Sequence, residues 1–439
     1  LRGGNRRVRT FVRLIRGSKV EDYVVRVPAH GISKLWSKED EYMLERQTDM
    51  MRYIRRHTKT PIAELFDHDA TLDNLLGMPY IVEARIEGIP AYDIWFPDGE
   101  EDDVRAALRN GDHPSAETEK KRINFLRSLA RAMNELGTLR FDQTGSLHVQ
   151  YGNRAPPTIG PYYTWTCAEE PGKSTRHPPH SSIQGLVKGP LKDLCNIEAE
   201  REDRGDVKEN ILSSRRVGIR KILDMVLSSP AFNQTDEYFT VCHPDLDLQN
   251  IMTDKDGNII GIIDWDGAFF APRCMGASSV PKFLNRDWFP EEVGGLYSFP
   301  YLIWRTDEYR NIYAAAMIED SPMKDHPDGR LITKSAIYTS VLGGLLKYMG
   351  GGDVEDFVTK LLQSIPRLHR LPICEYLIAL GNGLPHEEVL LKQDIAAMLE
   401  PQLPEEKYFE LLRSFTDAPE PVNISTSFPD VVGAISSEE

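Results

Sequence analysis

No stretch of this chain holds about eighteen consecutive apolar residues, so nothing in it reads as a membrane-spanning helix. The best candidate, 335–346, is too short and contains Gly343 and Gly344, which makes a soluble protein the expectation. Cysteine is scarce: Cys167, Cys195, Cys242, Cys274 and Cys374 are scattered, and no two stand at C-x-x-C spacing. That excludes a disulfide framework and points to a reducing, cytoplasmic compartment. The chain starts at Leu1 with no basic-then-apolar leader before it, which reads as a fragment whose natural start is missing. Basic charge is short as well. The net charge of −15 argues against a nucleic-acid partner and weakly favours a cationic or neutral one, although acidity also serves solubility alone. Internal repeats and low-complexity tracts are absent. What remains is a globular balance of 41% hydrophobic and 27% charged residues, ample for one large or two moderate cores.

Apolar patterning divides the chain into a small mixed lobe over 1–87 and a larger, mainly helical lobe over 88–417, with a loose tail over 418–439. In the first lobe, β-branched and aromatic residues over 9–15 and 23–27 flank the turn Arg16-Gly-Ser-Lys and predict an antiparallel hairpin. Met43, Met50, Met51 and Ile54 predict a helix over 39–57, stopped by Pro61, and 78–86 has the length of a strand closed by Gly88. Beyond it, Ile123, Leu126, Leu129 and Met133 share a helical face over 120–136. Residues 151–209 are rich in Pro, Gly, Ser and charge and predict a long, partly irregular insertion. A helix over 219–227, a strand over 238–242, a strand pair around Asp254-Lys-Asp-Gly and helices over 288–414 complete the α+β pattern.

Chemistry concentrates in Val241-Cys-His-Pro-Asp-Leu-Asp-Leu-Gln-Asn-Ile-Met and, after a hairpin, Ile259-Ile-Gly-Ile-Ile-Asp-Trp-Asp-Gly. Asp245 follows a strand on a short loop, Asn250 lies five residues on, and Asp264 ends a strand that the Asp256-Gly257 turn folds back beside them. Two carboxylates and an amide oxygen converging on one point suit magnesium, which keeps waters and shares its other positions with phosphate oxygens. The spacing therefore fits phosphoryl transfer.

His243-x-Asp245-x-x-x-x-Asn250 with a downstream Asp264 resembles a kinase catalytic loop and its metal-binding Asp. Protein kinases place Arg where Pro244 stands and Phe-Gly where Trp265-Asp266 stand, and the pattern as a whole is similar to the aminoglycoside phosphotransferase family, especially its fungal branch of uncharacterised substrate. The resemblance extends from residue 1 to about 290 and implies a bilobal, protein-kinase-like fold and phosphorylation of a small-molecule hydroxyl by ATP. It makes Asp245 the base and Asn250 and Asp264 the magnesium ligands. Gly3-Gly4-Asn5-Arg6-Arg7-Val8 resembles the phosphate loop, with its preceding strand cut away, and Arg26 in Tyr23-Val-Val-Arg-Val-Pro takes the place of the phosphate-pairing Lys. Gln47 aligns with the helix Glu that pairs this cation, and a neutral amide cannot pair its charge. In Tyr80-Ile-Val-Glu-Ala-Arg-Ile-Glu-Gly, which resembles the interlobe hinge, backbone groups of Glu83 and Arg85 are expected to face the adenine.

Blander readings stand beside these. His243 reads as a structural hydrogen-bonding residue rather than a proton carrier. Asp247 and Asp266 read as solvated or supporting acids, and the Gly3-Gly4 pair as an ordinary turn or, in Leu1-Arg-Gly-Gly, a fusion junction. Trp288, Trp304 and Tyr309 read as core rather than acceptor pocket. Two rival functions stay open: a catalytically degenerate module that binds nucleotide or protein, and a protein kinase.

Overall fold

The computed structural model describes residues 7–16, 19–97, 112–151, 155–165, 174–199, 207–234, 236–288, 300–321, 328–346 and 354–415. Strands β1 (Arg7–Arg16) and β2 (Lys19–Pro28) form the expected antiparallel hairpin, with Arg9 directly opposite Arg26. Strands β3 (Leu65–Asp69) and β4 (Tyr80–Ala84) extend it into a four-stranded antiparallel sheet in the order β1-β2-β4-β3. Alternation along β2 and β4 turns Val24, Arg26, Ile81 and Glu83 inward. Sequence patterning did not show β3, because Leu-Phe-Asp-His-Asp has no apolar alternation; pairing with β4 holds it in place.

Helix α1 (Lys38–His57) covers the inner face. It starts in a capping box, with Asp40 N–H donating to Ser37 Oγ and Ser37 N–H donating to Asp40 Oδ2, and has acids in its first turn and bases in its last. Leu44, Gln47, Met51 and Ile54 form a buried stripe at helical spacing, and Leu44 packs with Ile81 and Ala70.

Past residue 88, β5 (Ile89–Pro90) already pairs with the second lobe, lying against β11 (Ile251–Thr253), which follows β6 (Ser146–His148), β7 (Thr158–Gly160), β8 (Tyr162–Trp165) and β9 (Ser174–His177) in the chain. Helix α2 (Ala91–Trp95) follows, and α3 (Ala116–Leu136) begins on a Ser115 cap. Strand β10, Phe239–Cys242, is wholly buried and pairs with Phe269–Pro272; β11 pairs with Ile259–Ile262. Asp254 Oδ1 accepts the N–H groups of Asp256 and Asn258 to close the β11 turn. Gly257 sits there at φ +89, where a Cβ would stand 2.5 Å from the Lys121 carbonyl oxygen, so both backbone and space require glycine. A parallel bridge between Ile62 and Ile262, with Ile262 N–H donating to Pro61 O at 2.8 Å, ties the end of the first lobe's helix segment to this sheet.

The described residues of the stretch expected to be partly irregular include regular elements. They hold the hairpin Tyr162–Trp165 with Ser174–His177 and the helix Ile183–Ala199. Gly185, Gly189 and Pro190 mask that helix in the sequence, but Ile183, Leu186, Val187 and Leu191 recur at helical spacing and are buried. The next helix begins at Val207 and runs to Leu227, earlier than the periodicity indicated. Helices Thr306–Glu319, Ser335–Leu346, Val354–Gln363, Ile373–Asn382, Pro385–Leu399 and Glu406–Ser414 build the remainder of the lobe. Among the described residues no helix is long and apolar enough to cross a membrane. The described residues thus form the α+β arrangement expected of the chain, a small lobe built on an antiparallel sheet and one helix followed by a larger, mainly helical lobe.

Candidate active site

Four buried residues of β10 deliver the chain into the loop 243–250. His243 fixes this loop from inside. Its Nε2–H donates to the Ile263 carbonyl at 2.9 Å, and its Nδ1 accepts the Asp245 N–H at 3.2 Å. The second bond needs the neutral ring, because a protonated Nδ1 cannot accept. Burial lowers the His243 pKa, outweighing the Ile263 bond and the nearby carboxylates that pull the other way. Asp247 is tied down in turn: it caps the single 3-10 turn Leu248–Asn250 and takes two bonds from Arg286, at 2.7 and 2.8 Å. With His243 and Asp247 anchored, Asp245 stands between them with its side chain 43% exposed.

Asp245 and Asn250 meet directly. The Asn250 amide donates to the Asp245 carbonyl at 2.8 Å and to its Oδ2 at 2.9 Å, while Lys282 Nζ lies 3.3 Å from Oδ1. Asp264 arrives on the neighbouring strand: Ile263 N–H donates to the Asn250 carbonyl at 2.9 Å, one residue before it. Asp264 itself adopts a left-handed backbone, φ 66, which costs a non-glycine residue of order 1 kcal/mol and recurs at functional sites. Buried Trp265 holds the turn by donating from Nε1 to Ile262 O at 2.9 Å and by packing edge-on against His243.

The strained turn directs the Asp264 carboxylate at the small lobe. Its Oδ1 meets Arg26 Nη2 and its Oδ2 accepts Arg9 Nη2 at 3.0 Å. Arg26 is fully buried, and Asp266 at 3.2 Å and Glu83 at 3.6 Å complete its surroundings. Burial alone would lower the Arg26 pKa; the carboxylates of Asp266, Glu83 and Asp264 outweigh it and raise the net value, so the guanidinium stays charged.

The donors fit a magnesium–phosphate group. Asp264 and Asn250 offer hard oxygens, and Arg26 Nε is buried with no hydrogen-bond partner, a donor that a phosphate oxygen would satisfy. No cluster of three or more His, Cys, Asp or Glu forms a metal cage among the described residues, and an ion shared with phosphates does not need one.

Of the sequence-derived candidates, Asn250 meets Asp245 and Asp264 meets Arg26, and the backbone bond from Ile263 N–H to Asn250 O links the two pairs. Gln47 is buried in α1, while the small-lobe carboxylate that meets Arg26 is Glu83. The backbone role expected of Glu83 at the adenine does not fit, because Glu83 pairs with Val24 on one side and Leu65 on the other; the Arg85 N–H donates to Asp22 O at 3.1 Å. Gly3 and Gly4 lie outside the described residues. Tyr309 is buried, its hydroxyl held by Arg122 and Glu119, as a core residue would be. Sequence reasoning missed Arg9, Lys282 and the Glu83 side chain. The inward alternation of Ile81 and Glu83 could have flagged the last; nothing in the spacing marks the other two.

The phosphotransferase enzyme family matches residues 186–309, a span that includes the loop, Asp264 and the strands between them. No curated protein matches the chain. Solved structures with similarity include a thermostable mutant of aminoglycoside phosphotransferase APH(4)-Ia in ternary complex with AMP-PNP and hygromycin B, 15% identical over 85% of this chain and 95% of that one, TM-score 0.37. An aminoglycoside phosphotransferase from Alicyclobacillus acidocaldarius is 12% identical over 92% and 91%, TM-score 0.35. The GDP complex of aminoglycoside 2'-phosphotransferase-IIIa is 13% identical over 88% and 93%, TM-score 0.32.

Proposed function

We propose that this chain is a phosphotransferase that moves the terminal phosphoryl group of ATP to a hydroxyl of a small molecule, with magnesium. The observation behind this reading is the bond between Asn250 and Asp245 beside an Asp264 that reaches the buried Arg26 of the other lobe. Asp245 takes the acceptor's proton as the new O–P bond forms and the bond to the departing diphosphate breaks. Asn250 and Lys282 hold its two carboxylate oxygens in place. Asp264 and the Asn250 amide oxygen would hold magnesium, which neutralises charge on the transferring phosphoryl group when bound. Arg26 positions the phosphates, and Glu83 takes the counter-charge role that Gln47 cannot fill. Positioning and charge neutralisation supply most of the rate in such a transfer.

The acidic balance of the chain favours a cationic or neutral acceptor. The test is ADP release over a panel of hydroxylated amines, sugars and metabolites, with Asp245→Ala as the blank. Turnover on a panel member that the blank lacks is expected; equal ADP release by both proteins would refute the assignment of the base. AMP-PNP binding with no turnover on any acceptor would favour the degenerate module.

A further inference from the structure

Arg9 and Arg26 stand directly opposite each other on β1 and β2, a placement in which like charges repel across about 5 Å. Asp264 resolves the conflict by giving one carboxylate oxygen to each. The two arginines are nonetheless unequal. Arg26 also has Asp266 and Glu83, whereas Asp264 is the only carboxylate paired with Arg9 among the described residues. Arg13, on the same face of β1, has its own partner, Asp22, at 2.7 Å.

Building on the phosphotransferase reading, we propose that Arg9 is a second phosphate-binding residue, which holds Asp264 until nucleotide arrives and passes to its phosphates when Asp264 turns to the metal. A carboxylate shared by two guanidinium groups is a poor metal ligand, because a cation arriving alone must break both pairs. A triphosphate changes that balance. Its oxygens offer Arg9 and Arg26 a replacement anion of matching geometry, so Asp264 is released only where phosphate has arrived. Arg9 thereby couples metal binding to nucleotide binding, in the sense of a shared free energy between two ligands.

Calorimetric titration of the full chain tests this with two probes taken separately: AMP-PNP in EDTA, and Mn2+ without nucleotide. Arg9→Ala should weaken AMP-PNP binding in EDTA about tenfold or more, the scale of one charge-assisted hydrogen bond. The same variant should bind Mn2+ several times more tightly, since Asp264 is then held on one side only. Arg13→Ala should stay within twofold of the parent in both titrations. An Arg9→Ala affinity for AMP-PNP within twofold of the parent overturns the proposal. So does an equal loss in Arg13→Ala, which would mean that β1 had merely loosened. A parent protein that does not bind AMP-PNP even with Mg2+ defeats the phosphotransferase reading itself and this inference with it, an outcome distinct from a failure at Arg9 alone.

Discussion

Asn250 donates its side-chain amide to two oxygens of Asp245, the main-chain carbonyl at 2.8 Å and carboxylate Oδ2 at 2.9 Å. One residue therefore sets both the path of the loop and the direction of the carboxylate. Asp245→Asn should lower kcat by roughly 10²–10⁴-fold, the usual contribution of a general base. Its melting temperature should change little, since the side chain is partly exposed. Asn250→Ala should lower kcat comparably and also raise the Mg2+ concentration needed for half-maximal rate; full activity in either variant contradicts the assigned roles.

Glu83 and Arg26 form an ion pair in which the side chains are 8% and 2% exposed. Removing one partner of a buried pair leaves charge without compensation. Because Asp264 and Asp266 remain, Glu83→Gln should cost less than a lone pair would, about 1–3 kcal/mol in guanidinium unfolding. The same variant should raise KM for ATP more than it lowers kcat. A stability equal to the parent would show that Glu83 is not a significant counter-charge.

Asp247 and Arg286 join the loop 243–250 to the segment beyond Asp264. Both side chains are largely buried, at 8% and 14% exposure. Asp247→Ala should destabilise by about 3 kcal/mol and slow turnover through displacement of Asp245. Urea denaturation and steady-state kinetics on the same preparation would separate these effects; a stability loss below about 0.5 kcal/mol, in the range of an exposed pair, contradicts the anchoring role.

His243 gives the site a pH dependence with a definite sign. Its folded pKa is depressed, so the unfolded chain binds a proton more readily near the ordinary histidine value of about 6.5. Stability is then full above about pH 6.5 and falls as pH drops below it. His177 and His180, also lowered by burial, act in the same direction. Melting curves between pH 5 and 8 should therefore decline on the acid side, and His243→Gln should flatten part of that decline. An unchanged slope in the variant would assign the effect to the other two histidines.

Much of the loop 243–250 was legible because its geometry is local. Asp245 and Asn250 lie within one short loop, and the β11 turn through Asp254 and Gly257 brings Asp264 back by a connection of a few residues. The hairpin of β1 and β2 and the helix α1 were equally readable, since each rests on its own periodicity and caps. β3 and the helix at Ile183–Ala199 were not, because composition obscured them and pairing or burial decided them.

Spacing and residue type alone placed Asp245 and Asn250 on one loop and returned the strand before Asp264 beside it, since strand, turn and loop lengths leave such a segment few ways to fold. Tertiary structure alone decided what answers it from the other lobe. Strand register put Arg9 opposite Arg26 and set Glu83 on the diagonal, and the positive φ of Asp264 aimed its carboxylate across the gap. Contacts between residues 255 positions apart, such as Arg9 with Asp264, depend on lobe packing and register, for which a linear pattern has no signal.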